Sequence, residues 1–578
     1  MTLKASKNKL NPAVGLLGFT ISKNIGIIIL MVIGILIFCP GLLLATFQNV
    51  TFKQQNFDAG RPEYLNMVFG FCGVLSAIII TIANYINFSY LYKKSSSDVF
   101  HALPLTRTKL LISRAAASFI SVLIPLTIGY LSLYMLTAFY PSYALGTFSQ
   151  IASAYLVNVI SVIMVSAYSL IFIVCAGSAF DLVLSYVGFN VAVLVIGSII
   201  SSVSDKYLSG YSTENTNAIM KTLSPLVFCG MSAEDFAFPE SGAGYSLSQN
   251  GGFLLKVSAF AVIFLIASII LYNYRKSERG GQAYAYKFIY IICSVLAGIC
   301  GGYLLSRIFI LPGPSKNSDL SIVGIISFIA GALITTVVYG AVTDRGFKKF
   351  RKSLIYGAAS VVLYFAVIAV VFSGAFGFSS RVPEIKNIEK AILSFNSENI
   401  ELSSQSSEKL TALHKAIIDR EADDDVYDTV DTPHTYLNLT YELKDGSKMS
   451  REYFVDIKKI DDELFALYSG KERFAQIYSD IDNMGSRMVY LDVEKYENYE
   501  TTTYAISKDQ LKALVDTYKN ELPRVGKKVL SNEENIVRLQ AYSHDQYYEG
   551  APFYVELTDD FTDTIALMEN FVAVESEG

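Results

Sequence analysis

The sequence predicts an α-helical polytopic membrane bundle of about nine transmembrane helices, followed by a soluble α+β domain. Three observations carry that expectation. Of 578 residues, 52% are hydrophobic and only 17% charged, against about 25% charged in ordinary soluble domains. Charge is unevenly divided: residues 1–380 hold 25 Lys and Arg against 12 Asp and Glu, and residues 381–578 hold 22 against 40. The first part also breaks into apolar runs of roughly 20 residues, the length a hydrocarbon core requires.

In chain order, Leu10 to Ser22 reads as a short interfacial helix. The runs follow: Ile25–Phe47, Tyr64–Phe88, Ala115–Phe139, Ile151–Ala176, Leu182–Val203, Phe253–Tyr274, Phe288–Phe309, Ile322–Val342 and Leu354–Phe376. The first is too long for the apolar core of a signal peptide and reads as a helix that stays. The shortest break, Gly177 to Asp181, separates the fourth run from the fifth. Lys4, Lys7 and Lys9, the loop Lys93–Lys109, the loop Arg275–Lys287 and the loop Asp344–Lys352 are basic. An N-terminus inside and nine crossings put all four on the cytoplasmic side, as the positive-inside rule requires. The tail then lies outside. Ser204 to Gly252 is an external loop that leaves room for one short helix.

The tail alternates as packed strands do. Tyr436 to Leu443, the turn Asp445-Gly446 and Met449 to Val455 read as a hairpin. Ser507-Lys508-Asp509-Gln510 reads as a capping box, and Thr558 as a second helix cap. Strand-then-helix recurs at Tyr453–Tyr478, Tyr504–Tyr518 and Phe553–Phe571, a pattern that suggests an internal duplication.

Several chemistries lack material. No phosphate-binding Gly-x-x-x-x-Gly-Lys-Ser/Thr loop, no His-Glu-x-x-His and no Gly-x-Ser-x-Gly occurs. Histidine stands only at 101, 414, 434 and 544. The six cysteines, Cys39, Cys72, Cys175, Cys229, Cys293 and Cys300, show neither metal spacing nor a disulfide framework. The acidic cluster Glu421, Asp423, Asp424, Asp425, Asp428 and Asp431 lacks calcium-loop spacing and reads as a solvated loop. Asp181, Lys256 and Arg307 fall near helix ends, where long side chains reach out of the bilayer. Asn84, Asn87, Asn158 and Asn190 lie deeper and read as interhelical glue. Nothing points to nucleic acid, to a metal or to a catalytic constellation, so the chain reads as no enzyme.

The distinctive stretch is the cytoplasmic loop. Asp98-Val99-Phe100-His101-Ala102-Leu103-Pro104 reads as a short helix ended near its proline. Leu105-Thr106-Arg107 then restarts the chain toward the third crossing. Apolar side chains on a short exposed helix need a pocket.

This stretch resembles the segment between the second and third helices of ABC-2 type transporter permeases, the membrane-spanning subunits of bacterial ABC exporters. There an acidic residue, an aromatic, Leu-Pro and Arg recur. The basic N-terminus, a six-helix core over residues 1–279 and the long loop before the sixth helix are similar to that family as well. The resemblance implies an ATPase-coupling helix made of Asp98, Val99, Phe100, His101, Leu103, Pro104, Leu105 and Arg107. Phe100, Leu103 and Leu105 would be its docking contacts, with Asp98 and Arg107 making polar ones. It implies an ABC ATPase partner that carries the ATP and magnesium, no cofactor in this chain, and a second permease, identical or related. The expected place is the bacterial cell membrane. Residues 280–380, with three further helices, and the acidic domain 381–578 depart from the family pattern. They are additions seen in permeases associated with cell-envelope-active compounds. An envelope sensor, with the outer domain binding a ligand, is the alternative reading.

Overall fold

A computed structural model describes residues 12–41, 44, 54–139, 148–229, 251–309, 321–396, 398–404, 406–420, 423, 434–445, 447–483, 488–497, 500–530, 535–542 and 553–571. The remaining acidic-cluster residues, Lys4 to Lys9, Gly446 and residues 230–250 of the external loop lie outside that range. The chain forms two compact units. One comprises residues 1–53, 60–200 and 217–367, the other residues 54–59, 201–216 and 368–578.

The first unit is helical. Its elements are α1 (Pro12–Lys23), α2 (Ile25–Leu36), α3 (Gln54–Phe88), α4 (Lys94–His101), α5 (Arg107–Phe139), α6 (Phe148–Cys175), α7 (Ala179–Tyr207), α8 (Thr213–Leu223), α9 (Gly251–Tyr274), α10 (Lys287–Phe309), α11 (Ile322–Thr343) and α12 (Phe350–Phe372). The ends of α3, α7, α8 and α12 extend into the second unit. Eight described helices are long and apolar enough to cross a membrane, nine if the pair α1 and α2, bent by 55°, is one span. This is the pattern of a multi-pass membrane protein. The first crossing therefore differs from a straight run over Ile25–Phe47. The bend falls at Asn24, and the helix widens into a π-turn at Ile37–Gly41, which contains Pro40. The short helix allowed for in the external loop is α8.

The packing inside this unit follows from hydrogen-bond direction. Ser118 and Ser121 donate along their own helix to Arg114 O (3.2 Å) and Ala117 O (2.7 Å). Each hydroxyl can then only accept. Asn87 Nδ2 donates to Ser118 (2.8 Å) and Asn24 Nδ2 to Ser121 (3.1 Å), tying α3 and the α1–α2 bend to α5. Asn84 reaches Ser166 and Ser169 on α6, and Asn158 reaches Tyr130 at 2.6 Å. Asn190 accepts from Ser224. These amides are interhelical glue, as expected. α10, α11 and α12 pack through small residues. A Cβ on Gly301 would lie 1.8 Å from the Thr335 hydroxyl, so only glycine permits that approach.

The second unit carries the α+β domain: β1 (Ile388–Phe395), β2 (Glu398–Ser403), α13 (Ser407–Asp419), β3 (His434–Leu443), β4 (Lys448–Asp456), α14 (Asp461–Tyr468), α15 (Lys471–Asn483), β5 (Met488–Lys495), β6 (Glu500–Ser507), α16 (Lys508–Val525), β7 (Asn535–Tyr542), β8 (Phe553–Thr558) and α17 (Thr562–Met568). Two antiparallel sheets form, in the orders β2-β1-β3-β4 and β6-β5-β7-β8. Each half runs hairpin, helix, hairpin, helix. The domain is thus a ββαββα unit used twice, with α15 between the copies. The two sheets share one core, in which Leu393, Leu439, Leu491 and Leu539 are fully buried.

The predicted hairpin is β3–β4, with Tyr441 opposite Met449. The capping box is present, Gln510 N to Ser507 Oγ at 3.2 Å and Ser507 N to Gln510 Oε1 at 2.8 Å. Thr558 differs from its expectation. It ends β8, buried, and the cap position of α17 is Phe561.

Candidate functional site

The loop between α3 and α5 is ordered from end to end. A tight turn at Ser89–Tyr92 closes α3, Lys93 is extended, and α4 follows. α4 ends at Ala102. The chain then turns at Leu103-Pro104-Leu105, where Leu105 N donates to Leu103 O at 2.7 Å.

Three arginines hold this loop. Arg114, about two turns into α5, is buried. Its guanidinium lies 4.2 Å from the Phe100 ring centre and 4.6 Å from that of Tyr90. It also donates to Asn87 O at the end of α3. Cation–ring contacts of this kind contribute roughly 2 kcal/mol where water is excluded. Arg107 donates to Asn273 O (3.0 Å), in the last turn of α9, and to Arg275 O (2.7 Å), just beyond it. Arg275, buried, donates to Val174 O, to Ala176 O at 2.8 Å and to Leu91 O at 2.9 Å. A cation at the end of α6 meets the negative pole of the helix and its unpaired carbonyls. No carboxylate is needed to neutralise it.

His101 completes the clamp. Its Nδ1 is 3.1 Å from Ser277 Oγ and its Nε2 3.4 Å from Tyr272 OH, and Tyr272 OH is 2.6 Å from Tyr90 OH. Burial first, then the Arg107 charge, holds the His101 imidazole below its ordinary range, so it is neutral near pH 7. Nearby, Gly177 N donates to Ala283 O at 3.1 Å, and Ala285 N to Cys175 O at 2.8 Å. A Cβ at Gly177 would sit 1.9 Å from Gln282 O. Backbone approach this close requires glycine.

The side chains expected at the site divide into two groups. Phe100 and Leu103 are half-buried and pack with Phe88, Tyr90, Leu111 and Tyr272. Phe100 lies 4.5 Å from Tyr90, centre to centre. Arg107 is occupied by carbonyls, and Leu105 is half-buried. Asp98, Val99 and Pro104 face outward, Val99 with 67% of its surface exposed. Three contributors were not legible in the sequence: Arg114, Tyr272 and Arg275. The signal available for Arg275 was a cation directly behind a long apolar run.

Among the described residues, no three His, Cys, Asp or Glu side chains are grouped to hold a metal ion. The second unit has its own buried polar group. His414 Nδ1 lies 3.1 Å from Tyr441 OH and its Nε2 2.8 Å from Tyr453 OH. Tyr441 donates to Leu410 O. Nδ1 therefore carries the proton, and Nε2 accepts from Tyr453. Burial, helped by Arg451, lowers the His414 pKa to about 4. Arg451, 1% exposed, stacks 3.6 Å from the Phe378 ring centre and donates to Phe378 O at 2.8 Å. Ser450 donates to Glu214 at 2.5 Å, and Gly210, with φ +71°, lies against the Tyr453 ring.

Comparison with known protein families, with curated proteins and with solved structures finds no match.

Proposed function

We propose that this chain is the membrane-spanning permease subunit of an ATP-driven exporter of the ABC-2 type. A separate ATPase subunit docks on α4, and a second permease, identical or related, completes the assembly. The observation that supports this is the rigid mounting of α4. A short helix at the end of the bundle is fixed to α3, α5 and α9 by Arg114, Arg107 and His101, with Asp98, Val99 and Pro104 turned outward. A rigid lever transmits a push; a mobile loop does not. The docking contacts are accordingly Val99, Ala102 and Pro104, with Asp98 beside them. Phe100 and Leu103 act from beneath as the mount. The bilayer is that of a bacterial cell, with α4 in the cytoplasm and the α+β domain outside. The cargo is an amphipathic or peptide-like compound of the cell envelope.

The test is co-purification. Tagged full-length chain taken from its native membranes brings nucleotide hydrolysis with it, and Val99→Glu lowers the associated activity at least tenfold. If Val99→Glu retains full association, α4 is not the docking helix. If the isolated chain hydrolyses nucleotide alone, the permease reading fails.

One observation favours the sensor alternative. The α+β domain shares its compact unit with residues 54–59 and 201–216, the ends of α3 and α7. A ligand-driven change in that unit bears directly on α3 and α7, since the unit contains their ends. Deleting residues 381–578 separates the readings: cargo movement survives and ligand response is lost if the domain senses.

A further inference from the structure

Cys39, in the π-turn that ends α2, and Cys72, near the middle of α3, are both fully buried. Their Sγ atoms are 3.2 Å apart. That is inside ordinary sulfur–sulfur contact, and a thiol is too weak a donor to hold such an approach by itself. The preceding residues also meet: the Phe38 and Phe71 rings stack with centres 3.8 Å apart. Residue pairs 38/71 and 39/72 thus lie side by side, holding the two segments in register. Among the described residues no other cysteine pair comes so close. Cys175 and Cys293 belong to a different cluster, with Tyr284 and Tyr339.

Position along the bundle adds a compartment. Cys72 stands sixteen residues before the end of α3 at Phe88, about 24 Å of helix. α4 follows that end, and the stretch apolar enough to cross a membrane runs from Met67 to Tyr92, so Cys72, five residues from its start, belongs to the half away from α4. Where α4 faces a reducing cytosol, the pair sits on the side that meets an oxidising exterior.

We propose that Cys39 and Cys72 form a disulfide that staples the bent first segment to α3. The oxidant is an external disulfide. Two thiols lose their protons and two electrons to it, one S–S bond forms between Cys39 and Cys72, and the carrier's S–S bond opens to two thiols. The exchange occurs as the helices come together, since thiols that are fully buried are inert. The staple fixes the α1–α2 bend against the bundle while leaving the rest of the membrane unit free to move. It rests on the orientation proposed above only through the side from which the oxidant comes.

The experiment counts thiols in the full chain. Native membranes are alkylated with N-ethylmaleimide under denaturing conditions, then reduced, then labelled with a maleimide of large mass. Two of the six cysteines are expected to label only after reduction. Cys39→Ser and Cys72→Ser each abolish that signal, and Cys175→Ser leaves it. Peptide mass spectrometry of the unaltered chain, which needs no variant to fold, shows residues 39 and 72 linked. Complete alkylation of all six without reduction overturns the staple, as does a reducible pair that survives Cys39→Ser. Orientation is read separately from Lys94→Cys with a membrane-impermeant maleimide on whole cells. If that position reacts, the orientation is wrong; if it stays silent and no reducible pair exists, the staple itself is wrong.

Discussion

The two halves of the α+β domain share a topology and differ in their cores. Phe395 and Val493 are the last core residues of β1 and β5. Aligned on them, the registers correspond. Leu393 faces Leu439, and Leu439 faces Arg451. Leu491 faces Ala541, and Ala541 faces Phe553. Arg451 thus stands in the first half where Phe553 stands in the second. Phe553 packs on Tyr518, which stacks on Phe561 at 5.1 Å, an apolar solution. Arg451 reaches instead for the backbone of Phe378 and Arg381, beside His414, Tyr441 and Tyr453. The difference teaches what a duplicated unit can do. One copy keeps the general-purpose core, and the other uses polar partners to fix the chain that arrives from the helices.

That contrast can be broken at four points. The largest effect is expected at Phe553→Ala, which should cost about 3–5 kcal/mol in chemical denaturation. A loss below 1 kcal/mol would mean that the second half does not depend on its apolar core. Next comes pH. The His414 pKa is about 4 when folded, below the usual 6.5 of an unfolded histidine. The unfolded chain therefore binds the proton first as pH falls. Stability is full above about pH 6.5, declines down to about pH 4 and levels off below, a loss of roughly 3–3.5 kcal/mol. His414→Gln should remove that portion of the slope; an unchanged profile would show that another group titrates.

Helix caps give the third point. Ser507→Ala breaks a complete capping box and should cost about 1 kcal/mol. Ser406, which precedes α13, makes no capping bond and holds only Glu472. Its alanine variant should cost about half as much, measured by the same denaturation. Equal losses would erase the distinction between the two helix starts. The smallest effect is expected at Arg451→Met. Nε and Nη1 of Arg451 have no hydrogen-bond partner, so the buried charge is only partly compensated. A matched apolar chain should leave stability unchanged or slightly raised. A loss as large as that of Phe553→Ala would show instead that the polar core carries the first half.

Some of this was legible in the residues. The capping box at Ser507 and the hairpin after Tyr436 rest on contacts between near neighbours, and both formed as read. The duplication was visible only as scattered strand-then-helix recurrences, because two copies with different core chemistry do not repeat in sequence. At the candidate site, the short helix ending near Pro104 was legible, but the direction of Phe100 was not. Its partners Tyr90 and Arg114 lie on other helices, and a helix eight residues long has too few turns for periodicity to show its buried side.

What the sequence by itself determined is the division into apolar spans and an acidic α+β domain. Hydrophobic length and local turn chemistry act over a few residues and need no distant partner. Only the tertiary structure decided where the charges go. Arg275 ends against α6, Arg107 against α9, and Arg451 against Phe378, in each case on a backbone carbonyl. Every residue offers such a carbonyl, so no sequence pattern marks it. Which one is free depends on which helix or turn ends nearby in space.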